Sequence, residues 1–148
     1  MISLSDEKLF AGFKGNPPAS PALIAQSRAK FSFQLPADYV QFLQQMNGGE
    51  GSLGDNSYVV LSRVEQLGGM NAACEVAEFA PELFLFGSNG AGEAFAYDTR
   101  FSPPRIIAIP FITLDLCDAV MIAANFRSFL EVLFTSGIPF LKGSDGLH

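Results

Sequence analysis

Asp115 and Asp118 stand three positions apart beside Cys117, and Glu75, Glu78 and Glu82 punctuate an earlier stretch of the chain. Paired carboxylates can do acid–base work or hold a hard cation, provided several oxygens converge on one point. Spacing alone does not supply that convergence, so a solvated acidic face is expected for both groups. A third group, Glu50, Asp55, Asn56, Glu93 and Asp98, falls in or beside the turns of the sheet set out below. Loops on a rigid sheet are where partner-binding residues concentrate. Asp55 and Asn56 also favour tight turns for backbone reasons. An acidic binding rim and ordinary turn chemistry therefore both stand for this third group, and Asp115 and Asp118 join it as candidate partner contacts.

Other chemistries lack their parts. His148 is the only histidine, and at the end of the chain it is not expected to serve Ser-His-Asp or Cys-His mechanisms, which need an internal imidazole base. Gly87-Ser88-Asn89-Gly90-Ala91-Gly92 has the glycine density of a phosphate loop. Such a loop needs a helix behind it to aim its amides, and usually a lysine. Glu93 follows at once here and the next residues alternate as a strand does, so a turn between strands is expected. Cys74 and Cys117 form neither a metal pattern nor a disulfide framework, and buried, inert thiols are expected. Arg63, Arg100 and Arg105 are scattered among acids, unlike a phosphate-binding stripe. No catalytic, cofactor-binding or metal-ligating set emerges from these patterns.

The chain has 148 residues, 49% of them hydrophobic, with 15 Phe and no Trp. That composition describes one folded, phenylalanine-cored domain spanning 1–148. A charged content of only 16% suggests apolar surface left for a partner. The net charge of -6 repels phosphate, so a basic protein is a better partner than nucleic acid or an anionic membrane. Residues Met1 to Phe10 lack the apolar core of a signal peptide. The apolar runs around Ile106–Ile112 and Ala119–Ala124 fall far short of the ~20 residues of a membrane span. A cytoplasmic location is expected.

The elements that must position these residues follow from periodicity and punctuation. Ser5 caps a short helix through Phe13, broken by Gly15-Asn16-Pro17-Pro18, and Ser20 with Pro21 opens a second helix to about Lys30. Phe31, Phe33 and Leu35 alternate with polar residues as an extended link. In the helix Pro36–Met46, Tyr39, Phe42, Leu43 and Met46 form one apolar face. Asp38 lies where that helix's dipole favours an anion, and Gly48 supplies the left-handed residue that ends it.

Gly51–Leu53 and Tyr58–Leu61 read as a hairpin. Ser62 and Glu65 have the spacing of a capping box for a helix that Gly68-Gly69 weakens, that bends or restarts at Met70 and that ends near Pro81. Leu83–Ser88, Glu93–Thr99, Arg105–Phe111 and Ala119–Ile122 read as strands. Asn125 caps a last helix with Phe126, Phe129, Leu130, Leu133 and Phe134 on one face, stopped by Gly137 and Pro139. The predicted fold class is α+β: a central antiparallel β-sheet meander flanked by N- and C-terminal helices. The connections are too short for parallel crossovers.

Several motifs occur in a fixed order: Leu35-Pro36-x-Asp38-Tyr39-x-x-Phe42-Leu43, Asn47-Gly48-Gly49, Phe86-Gly87, Gly90-x-Gly92-Glu93-x-Phe95-x-Tyr97-Asp98, Pro110-Phe111, Asp115 with Asp118-Ala119, and Ala124-x-Phe126-x-x-Phe129-Leu130. Over about Leu23 to Phe134 the chain resembles the SUKH superfamily of bacterial toxin-immunity domains, which also contains a fungal cell-wall-assembly regulator. The resemblance implies an α+β fold with a central antiparallel sheet and no enzymatic activity, and no cofactor is expected. It also implies a protein partner, such as the toxic domain, often a nuclease, of a polymorphic toxin. The motif residues themselves are implied to be structural. Ser88-Asn89 and the lack of Trp depart from the expected pattern. An immunity protein that plugs a basic toxin and a regulatory or structural interaction module without a toxin partner both fit.

Overall fold

The computed structural model describes residues 6–137. Seven strands form one sheet: β1 (Phe13–Gly15), β2 (Gly49–Leu53), β3 (Ser57–Leu61), β4 (Leu83–Ser88), β5 (Glu93–Asp98), β6 (Arg105–Pro110) and β7 (Val120–Ala123). They lie in sequence order and every neighbouring pair is antiparallel, so the expected meander is present. The helices among the described residues are α1 (Asp6–Leu9), α2 (Pro21–Arg28), α3 (Ala37–Gln45), α4 (Leu67–Ala73), α5 (Val76–Phe79) and α6 (Phe126–Thr135). The fold is α+β in a single-domain arrangement.

One face of the sheet carries Leu53, Val59, Leu61, Phe84, Phe86, Phe95 and Tyr97, packed under Ile24 of α2, Tyr39, Phe42 and Leu43 of α3, and Phe126, Phe129, Leu130 and Leu133 of α6. Phe86 is the extra residue of a bulge between β4 and β5. Its ring stands edge-on to Phe129 at 5.3 Å and lies 4.9 Å from Tyr97. The helical stripes read from the sequence are thus the core. Asn125 caps α6, its side chain accepting from the Ser128 amide, and Ser20 caps α2 by accepting from the Leu23 amide. Asp38 acts away from its own helix: Oδ2 accepts from the Phe126 amide at 2.9 Å, where the exposed N–H groups and dipole of α6 favour an anion. It thereby fastens α3 to α6.

A second apolar layer occupies the opposite face of β4–β6. Leu83, Leu85, Ala94, Ala96, Ile107 and Ile109 are covered there by Val76, Ala80 and Leu114. These strands are therefore buried on both sides, unusually for an antiparallel meander. β3 pairs with β4 only at Gly87 and Ser88. Further back along β4, Asn71 of α4 takes the place of a strand: Leu85 donates to its Oδ1 at 2.8 Å, and Nδ2 donates to the Leu85 carbonyl at 2.9 Å.

Four local expectations are corrected. The first helix covers only Asp6–Leu9, its Ser5 cap lying outside the described residues, and Phe13–Gly15 is the edge strand β1. The pairing is made possible by β2: a Cβ on Gly51 would sit 2.8 Å from the Phe13 Cα, so only glycine lets β1 approach. The Ser62–Glu65 capping box does not form. Asn47 displaces it, its Oδ1 accepting from the Val64 amide at 2.8 Å and its Nδ2 donating to Glu65 at 2.8 Å. Nor does the helix bend or restart at Met70: it runs unbroken from Leu67 to Ala73 and breaks at Glu75, held at φ 55°. Leu67 buried below and the Asn71 clamp hold α4 through its glycines. Finally, Gly48 is left-handed as expected, at φ 72°, but α3 already ends at Gln45 and Met46 is extended. The Pro139 stop lies outside the described residues.

Candidate partner-binding surface

A meander alternates its turns between two ends of the sheet. The β2–β3 turn, the β4–β5 turn and the β6–β7 loop therefore share one end, with successive turns roughly 10 Å apart, two strand spacings. This end gathers Asp55 and Asn56, both exposed, Glu93, half-buried, and Asp115 and Asp118, both exposed. Residues 53–57, 88–93 and 110–119 contain no Lys or Arg. Three exposed carboxylates and the half-buried Glu93 thus share one edge with no base in the turns that carry them.

The other two candidates go elsewhere. Glu50 is exposed on the open face of β2, where it accepts a hydrogen bond from the Tyr58 hydroxyl. Asp98 closes β5 at the opposite end of the sheet and is 1% exposed. Arg100 donates to it from the backbone amide at 3.1 Å, from Nε at 3.0 Å and from Nη2 at 2.7 Å. Those bonds hold the Asp98 carboxyl below its ordinary range. The expected rim of Glu50, Asp55, Glu93 and Asp98 is therefore not one surface. Asp98 drops out because its charge is already neutralised inside the protein.

Each turn at the acidic end is internally fastened. Asn89 is buried and accepts from the amides of Ala91 at 2.9 Å and Glu93 at 3.1 Å, while its Nδ2 donates to Glu93 Oε1 at 2.6 Å. The amides that a phosphate would need are thus already occupied. The glycine-rich segment is the strand-connecting turn expected from the sequence. Ser57 donates to the Leu133 carbonyl at 2.6 Å, pinning the β2–β3 turn to α6. In the β6–β7 loop, Phe111 donates to the Gly92 carbonyl at 2.9 Å, Asp115 accepts from the Cys117 amide at 2.9 Å and Asp118 accepts from Thr113 at 3.1 Å. Leu114 is left-handed at φ 45° with its side chain buried in the second layer.

Cys117 is exposed, against the expectation of two buried thiols, and Cys74 is half-buried. Asp115 and then Asp118 push the Cys117 thiol up, away from the reactive thiolate. Among the described residues no three His, Cys, Asp or Glu side chains cluster as a metal site, and no helix is long and apolar enough to cross a membrane.

Two residues that meet beside the β6–β7 loop were not singled out in the sequence. Ile112 is 97% exposed and Phe79 is 60% exposed, and both line one shallow depression of about 160 Å³ with Phe111 and Leu114. Ile112 closes the apolar run that forms β6, and nothing in its type marks it as the residue just beyond the strand.

Comparison with known proteins adds one match. The model of the SMI1 / KNR4 family (SUKH-1) matches residues 18–132, most of the chain. No curated protein matches the chain significantly.

Proposed function

The chain belongs to the SMI1/KNR4 (SUKH-1) family, and from that premise we propose that it is a non-enzymatic binding domain, an immunity protein that recognises and neutralises a basic toxin domain. The observation that carries this proposal is the convergence of Asp55, Glu93, Asp115 and Asp118 on one sheet end whose turns hold no base. A toxin that acts on nucleic acid needs a basic cleft to hold phosphates. An acidic, preformed edge complements such a cleft and blocks it. The net charge of -6 extends the attraction beyond the contact itself. Hydrogen bonds within each turn mean that little ordering is needed on binding.

The test begins with the genomic neighbourhood: a toxin domain found encoded beside this gene is produced with and without this protein. Co-production of this protein is expected to restore growth to cells that make the toxin. In stopped-flow mixing, association is expected to be fast at low salt and slower at high salt, because screening acts over about 8–10 Å. The combined Asp55→Asn, Glu93→Gln, Asp115→Asn and Asp118→Asn variant is expected to associate more slowly while its unfolding midpoint stays close to the parent's. A parent rate independent of salt, matched by the variant, overturns the acidic-end contact. Failure to protect cells returns the domain to the regulatory role.

A further inference from the structure

The geometry points to Ile112 and Phe79 as the apolar anchor of the contact, and to a partner surface that offers an apolar socket rimmed by Lys or Arg; this rests on the acidic sheet end being the contact. A single exposed apolar side chain is ordinary on a protein surface. Here two large ones line the same depression, one from α5 and one from the β6–β7 loop. Ile112 has almost no contact with its own chain at 97% exposure.

The positions of these two residues are set by buried neighbours. Within the loop, Leu114 enters the second apolar layer, and its amide donates to the Pro110 carbonyl at 3.0 Å. Ile112 lies between these tethers and is left outside. In α5, Val76 enters the same layer while Phe79 projects. The knob is preformed, so a partner gains its burial without first ordering the loop.

The surrounding charge selects the partner's chemistry. Glu75 and Glu78 are exposed at the start of α5 and beside Phe79, while Asp115 and Asp118 are exposed on the Ile112 loop. Between Arg63 and Arg100, and again between Arg105 and Arg127, the chain has no Lys or Arg. An apolar pair set among carboxylates repels an acidic or purely polar surface. It also disfavours a second copy of this chain, which would bring like charges together. A hydrophobic socket between basic side chains satisfies both parts, with the apolar centre governing dissociation and the charged rim governing approach.

The test uses three synthetic peptides as probes: Lys-Lys-Leu-Phe-Lys-Lys, its counterpart with Glu for every Lys, and hexalysine. Each is titrated into the labelled full chain, and amide and methyl resonances are followed. The apolar basic peptide is expected to move the Ile112 methyls and Phe79 saturably, and to bind at least about tenfold more tightly than hexalysine. The acidic peptide is expected to leave both unmoved. Ile112→Ala is expected to weaken the apolar basic peptide about tenfold without changing the unfolding midpoint. Equal binding of hexalysine and the apolar basic peptide, with shifts confined to the acidic turns, sinks the anchor and leaves the acidic contact standing. Shifts on another face, or none, sink both.

Discussion

Tyr97 shows how far a single side chain can depart from its ordinary chemistry. Its ring packs 5.8 Å from Tyr39 and 5.3 Å from Phe33, yet among the described residues no group bonds its buried hydroxyl, and the same holds for Tyr39. Burial pushes both phenols well above their ordinary range, with Tyr39 and Asp38 adding to the effect at Tyr97. The sign of the linkage follows from the raised folded-state value. Below about pH 10 both folded and unfolded chains hold the proton; above it only the unfolded chain loses it, so stability falls as pH rises. Tyr97→Phe removes no hydrogen bond made among the described residues and is expected to leave stability at neutral pH unchanged or raised by up to about 1 kcal/mol. It is also expected to flatten the alkaline loss. Urea unfolding at neutral pH and above pH ~10 checks both, and a clear loss at neutral pH would show that the hydroxyl has a partner.

At the scale of elements, α6 holds one face of the strands and the Asn71 clamp holds the edge of β4 that β3 leaves unpaired. Phe129 is fully buried, edge-on to Phe86 at 5.3 Å and to Phe95 at 5.0 Å. Phe129→Ala is expected to cost roughly 3–5 kcal/mol, because the removed ring leaves a cavity among neighbours that cannot close in. An unchanged denaturation midpoint would make α6 peripheral. Asn71→Ala leaves the Leu85 amide and carbonyl without their partner and is expected to cost roughly 2–3 kcal/mol. Hydrogen exchange at the Leu85 amide is expected to quicken with it; unaltered protection would mean that the clamp is dispensable.

Across the whole molecule, β4, β5 and β6 each contribute to both apolar layers: Phe84 and Phe86 face one, Leu83 and Leu85 the other. Neither layer can be removed without exposing strands that the other needs. Unfolding is therefore expected as one cooperative transition, with calorimetric and van't Hoff enthalpies in agreement. Two resolved transitions would show that the α4–α5 layer melts separately. The same architecture makes the acidic end rigid, since its turns close strands buried on both sides.

Much of this was legible locally. The limits of β4 coincide with those read from apolar run and turn residues, and the stripes of α3 and α6 are the core, because strand and helix periods are properties of adjacent residues. Net charge, the lack of an internal histidine and the turn nature of Gly87–Gly92 needed no fold. Tertiary structure decided what depends on distant partners. Asn47 overrode the Ser62–Glu65 cap because its amide reaches Val64 and Glu65 from another segment. Asp98 left the rim because the end of β5 is buried and Arg100 neutralises it there. Asp55, Glu93, Asp115 and Asp118 became one surface only through the alternation of the meander, and Ile112 faces solvent only because Leu114 turns inward beside it. Residue type records what a side chain can do; which neighbours it meets is decided by chain segments far away in sequence.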